Sequence, residues 1–147
     1  MDPHPFDGIN LREHPECYTI GRGEYGLFHA EPYRSELLPH WAFRTPDIAA
    51  ASIEQLRTQY ERYVAAEDFV GMDVARKYIQ MGWTRARRYA KYPGGRKYNP
   101  DGSVKQVIEE DPEKAESARL FRVALDEVLQ DVRYKQAKAV WKAAFAH

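Results

Sequence analysis

The chain has a single cysteine, Cys17, among 147 residues. An intramolecular disulfide is therefore excluded, and so is a zinc site built on cysteines. No apolar run approaches the roughly twenty residues that a membrane-spanning helix needs. The opening MDPHPFDGINLREHP has neither a basic n-region nor an apolar h-region, so it does not read as a secretory signal. A reducing, cytoplasmic setting is expected. No repeat recurs at solenoid periods, and no tract is of low complexity. Net charge is missing too: 22 Lys and Arg balance 22 Asp and Glu. The overall basic character usual in a non-specific DNA binder is thus absent.

What is present is one domain's length, with 44% hydrophobic and 30% charged residues, ample for a core. Aromatics are plentiful, with ten Tyr, six Phe and three Trp. Charge is also unevenly placed. The stretch from Val74 to Tyr98 carries Arg76, Lys77, Arg85, Arg87, Arg88, Lys91, Arg96 and Lys97 and no acid. The rest of a neutral chain then holds about minus eight. On a helical wheel with Ala75 at zero, Tyr78, Ile79, Gly82, Trp83, Ala86, Tyr89 and Ala90 fall between roughly 300° and 80°. The opposite arc is almost purely cationic. Trp83, at the edge of the apolar arc, is expected in the core.

Pro3, Pro5, Gly8 and Pro15 make residues 1–16 an irregular arm over the surface. Residues 17–43 read as a small β element: two β-prone runs, Cys17–Ile20 and Leu27–Ala30, flank a glycine-rich turn and suggest a hairpin. Leu37–Phe43 is apolar but Pro-interrupted and reads as a buried connector or edge strand. Residues 45–147 form the helical region. Thr45-Pro46-Asp47 starts a helix to about Ala66. Asp68 or a neighbour caps the next, which runs to about Lys91 and ends at Tyr92-Pro93-Gly94-Gly95. Asn99-Pro100-Asp101-Gly102 is a turn. Asp111-Pro112-Glu113 opens a helical stripe through Phe121, Leu125 and Val128, and a second turn or a continuation carries Tyr134 and Trp141. The expected fold is α+β, mainly α, with about four helices packed together and a small N-terminal β-hairpin.

The motifs GRGEYG (21–26), EPYRSELLPHW (31–41), EDFVGMDVARKYIQMG (67–82), TRARRYA (84–90) and GGRKY (94–98) give the chain a family likeness. It resembles a small family of uncharacterised cytoplasmic proteins of bacteria and their phages, known only as a domain of unknown function. The likeness runs from about Phe6 to Trp141 and implies no activity. After TRARRYA the family usually has asparagine and histidine; this chain has Lys91 and Tyr92, which adds positive charge.

The leading functional expectation is binding of a polyanion, DNA or RNA. Arg76, Lys77, Arg85, Arg87, Arg88, Lys91, Arg96 and Lys97 would meet phosphates, with Tyr92 or Tyr98 stacking on a base or ribose. The competing explanation is that these charges pair within the chain, with Glu109, Glu110, Asp111, Glu113 and Glu116 or with Glu54, Glu61, Glu67 and Asp68. Two other functional classes stay open. A small enzyme acting on a phosphorylated or acidic metabolite would use the same arginines with His29, Glu31 or His40 as acid–base groups. An interaction module would dock its basic helix on an acidic protein or on another copy of itself.

Gly21 to Gly26 matches G-x-G-x-x-G, but no helix start follows, so the glycines are expected to serve a tight turn. The histidine and glutamate spacing matches no metal-ligand motif, and no cofactor is expected. Cys17 would be a nucleophile only beside a base, and otherwise a small core residue.

Overall fold

The computed structural model describes residues 2–92, 98–104 and 110–146. Its elements are α1 (Tyr33–Leu37), α2 (Pro46–Ala65), α3 (Phe69–Lys91), α4 (Pro112–Gln130) and α5 (Val132–Phe145), with short 3-10 turns at Pro15–Cys17 and Leu38–His40. Capping residues set the starts of the long helices. Thr45 Oγ1 accepts from the Ile48 N–H at 3.2 Å, and Asp68 Oδ1 accepts from Gly71 at 3.0 Å. Asp111 caps α4 through Glu113 and Lys114. Asp131 ends α4 and caps α5 through Arg133, so the last stripe is two helices rather than one.

Helix α3 is the centre and packs against each of the other four. Its first eleven residues, Phe69 to Ile79, are buried all round, which suits a helix enclosed by neighbours. Small residues let those neighbours approach. A Cβ built on Gly82 would lie 2.3 Å from the Phe121 ring of α4, so glycine's helix cost of about 1 kcal/mol is offset by close packing. Around α3 stand Leu56, Tyr60 and Tyr63 from α2, Phe121, Leu125 and Val128 from α4, and Tyr134 and Trp141 from α5, all buried.

The expected β-hairpin does not form. Among the described residues there is no strand, only the isolated bridge Tyr98–Val104 around the Asn99–Gly102 turn, and there are five helices rather than four. The reason lies in the carbonyls of residues 17–30. Ile20 O and Tyr25 O accept from Lys77 Nζ at 2.6 and 2.7 Å, Gly23 O from Arg76 Nη1 at 2.7 Å, and Leu27 O from the Tyr78 hydroxyl at 2.8 Å. A strand ladder would need those acceptors. Side chains of α3 take them, and the segment winds through successive turns. Gly21, Gly23 and Gly26 supply the positive φ these turns require. The segment at 37–43 is likewise helical and 3-10 before it extends. The N-terminal arm lies over the surface and is anchored there by Phe6 and Leu11, which are buried in the core.

Candidate nucleic-acid interface

Two halves of α3 use their cations differently. In the buried half, Asp73 has no exposed surface and accepts from the hydroxyls of Tyr18 and Tyr134. Arg76 Nη2 and Nε donate to Asp73 Oδ1 at 2.8 and 3.1 Å, and Lys77 Nζ lies 3.9 Å from Oδ2. Lys77 is wholly buried, and burial pulls its pKa down to about 8 against the opposing pull of Asp73. The expectation that Arg76 and Lys77 sit on an exposed anion-binding face is therefore corrected. They are internal staples, holding the glycine-rich turns to α3.

In the second half the cations face outward. Arg85 is half-buried; Arg87, Arg88 and Lys91 are exposed. The Arg87 guanidinium stacks over Trp83 with its carbon 4.3 Å from the ring centroid, and Arg122 of α4 lies 4.6 Å from the same indole. Trp83 is half-buried against the core, with both guanidinium groups over its ring. Among the described residues, Arg85, Arg88 and Lys91 form no ion pair. Of the acids expected to pair with the basic stretch, Glu116 is engaged with Arg119, Glu61 with Arg133, and Asp68 with Gly71 and Tyr33. Glu109 lies outside the described residues.

Arg85, Arg87, Arg88 and Lys91 line one open cleft of about 1310 Å³ together with Tyr92, Tyr98 and Thr84. The opposite wall comes from the turns of residues 24–29 and from the arm, with Glu24, Tyr25, Phe28, His29 and His4. Tyr25 and Phe28 are large aromatics left exposed there, at 37% and 43%. Thr84 donates to Glu24 at 3.1 Å and ties the walls together at one point. One wall is cationic and the other aromatic. Arg96 and Lys97, with the rest of the Gly-Gly-Arg-Lys loop, lie outside the described residues.

His29 is thus brought to the basic cleft, whereas Glu31 and His40 are not among its lining residues. Glu31 holds the Ser35 backbone and hydroxyl, and His40 sits in the Leu38–His40 turn. His29 Nδ1 is 2.9 Å from Asp7 Oδ1, and the His4 ring stacks on His29 with centroids 4.4 Å apart and planes 5° from parallel. The His4 backbone N–H and His29 hold the Asp7 carboxyl below the usual carboxylate range, and burial lowers the His4 pKa. His4, Asp7, Tyr25 and Phe28 were missed from sequence: they lie some 60 to 80 residues from the basic helix, and nothing local marks them. The dinucleotide reading of GRGEYG has no support, since its carbonyls face Arg76 and Lys77 and no helix starts after it. Cys17 is exposed in a 3-10 turn and does not line the cleft.

The family described as "Domain of unknown function (DUF4385)" matches residues 2–144, and the chain belongs to it. No curated protein and no solved structure matches the chain significantly. Among the described residues, no helix is long and apolar enough to cross a membrane.

Proposed function

We propose that the cleft binds a nucleic-acid strand, with phosphates on Arg85, Arg88 and Lys91 and bases against the aromatic wall. The observation that carries this reading is the convergence, in one open cleft, of exposed aromatics with three cations that have no ion-pair partner among the described residues. Unpaired arginine and lysine displace counterions from phosphates, and any base has a face to stack. Size favours a polymer over a metabolite. Small-molecule pockets enclose about 300–1,000 Å³, and this cleft exceeds that range. From Arg85 to Lys91 the helix rises about 9 Å, which suits two or three phosphates of a single strand. A recessed site suits a single strand better than a duplex, which asks for a protruding helix or ribbon. The family likeness suggests a bacterial or phage protein working in the cytoplasm, where such strands occur.

The test is titration of labelled single- and double-stranded oligonucleotides against the native chain, Arg85→Glu/Arg88→Glu, and the control Arg119→Glu on α4. Affinity for single strands should fall at least tenfold in the cleft variant and hold in the control. Equal binding by all three proteins would refute the assignment. Binding of an acidic protein but of no oligonucleotide would favour an interaction module instead.

A further inference from the structure

We infer that the same cleft carries a catalytic base: His29, positioned by Asp7, cleaving single-stranded RNA by attack of the RNA's own 2′-hydroxyl. This rests on the strand-binding reading above and adds chemistry to it.

The argument starts from the His29 ring. A carboxylate only accepts, so the 2.9 Å contact puts a proton on Nδ1, donating to Asp7 Oδ1, and in the neutral ring the lone pair is then on Nε2. The other Asp7 oxygen accepts from the His4 backbone N–H at 2.8 Å, which fixes the carboxylate. His4 stacks flat on the His29 ring, and its own Nδ1 accepts from the N–H of buried Phe6 at 3.0 Å. His29 is therefore held by edge and by face, yet its side chain is 46% exposed. An oriented imidazole with an available lone pair is the arrangement of a general base.

Its surroundings supply the rest. His29 lines both the basic cleft and a second cleft of about 520 Å³ that includes Asn10, Phe28 and Arg34. A strand lying across both would pass His29, with Arg85 and Arg88 lining the first cleft and Arg34, 3.7 Å from Glu31, lining the second. Those cations would stabilise the added negative charge of a five-coordinate phosphorus. RNA is the substrate this chemistry selects, because it carries its own nucleophile. Nε2 takes the 2′-hydroxyl proton, the 2′-oxygen bonds to phosphorus, and the P–O5′ bond breaks. The 5′-oxygen leaves with the proton returned from the imidazolium. The products are a 2′,3′-cyclic phosphate and a 5′-hydroxyl, and no other reactant is consumed. Asp7 acts through His29 and is a positioning residue.

The experiment incubates the purified chain with a labelled single-stranded RNA, the same RNA 2′-O-methylated, and the matching DNA, with binding measured in parallel by anisotropy. Only unmodified RNA should be cut, leaving 2′,3′-cyclic ends. His29→Gln should lower the rate about 10²–10⁴-fold while binding stays within a few-fold. Asp7→Asn should lower kcat and leave KM nearly unchanged, a split that a merely structural role would not give. Both side chains are half-exposed, so melting curves should match the native chain. RNA that is bound but left intact would overturn the inference and leave strand binding standing. Cleavage of methylated RNA or DNA, or full activity in His29→Gln, would also overturn it. Absence of any binding would overturn both readings.

Discussion

Replacing Tyr134 by phenylalanine removes one oxygen from the buried Asp73 cluster and keeps the ring. That hydroxyl donates to Asp73 Oδ1 at 2.5 Å inside the core. A hydrogen bond to a charged group contributes about 1.5–3 kcal/mol. After the change Asp73 still accepts from Tyr18 and from Arg76, so it is weakened rather than orphaned. A loss of about 2 kcal/mol is expected, a sizeable part of a domain's 5–15 kcal/mol. At this chain length the melting temperature should fall roughly 6–8 °C. Urea unfolding followed by circular dichroism should show a lower midpoint at unchanged slope. Tyr18→Phe should behave alike, and the double variant should depart from additivity by about 1 kcal/mol, because both hydroxyls serve one carboxylate. Asp73→Ala is harsher, since it strands Arg76 and Lys77 as buried cations at about 3–5 kcal/mol. A Tyr134→Phe protein melting within a degree of the native chain would refute the reading of this cluster as the tie between the N-terminal segment, α3 and α5.

Gly82→Ala should destabilise by about 1–3 kcal/mol despite alanine's better helix propensity, because the new Cβ meets the Phe121 ring; chemical denaturation measures it. Stability should also fall steeply in alkali. The pKa values of Tyr18, Tyr33, Tyr60, Tyr63, Tyr78 and Tyr134 are raised by burial, so below about pH 10 they are neutral in both states and contribute no pH dependence. Above it only the unfolded tyrosines ionise, and folding weakens as pH climbs. Lys77 acts oppositely in a lower window. Its folded pKa of about 8 lies below the unfolded value near 10.4, so the unfolded state holds the extra proton and stability rises with pH between the two. A pH series of urea midpoints should therefore pass through a shallow rise before the alkaline fall, and Lys77→Met should abolish the rise.

Local chemistry made the helices legible. Thr45, Asp68 and the Asp-Pro pair at 111–112 name three helix starts, and the period of Ala75, Ile79, Ala86 and Ala90 names the buried arc of α3. Composition misled at residues 17–30, where β-prone residues flank glycines. Side chains of α3, more than fifty residues on, take the carbonyls a hairpin would have used. The same long-range contacts hid the fate of Arg76 and Lys77, which a wheel places on the polar arc although neighbouring chain covers that arc along the first half of the helix. Tyr89 errs the other way: it lies in the apolar arc but is 39% exposed, against Phe43 at the helix end. Of the cleft lining, the outward half of the basic stretch with Tyr92 and Tyr98 was legible, and the wall of Tyr25 and Phe28 was not.

The measurement closest to the central claim is the salt dependence of single-strand binding by the native chain. Three phosphates neutralised by Arg85, Arg88 and Lys91 predict a slope of log affinity against log salt of about −2, or roughly fifteen-fold weaker binding from 50 to 200 mM. In Arg85→Glu/Arg88→Glu that slope should collapse toward zero. A native affinity indifferent to salt, or no binding at low salt, would contradict the account.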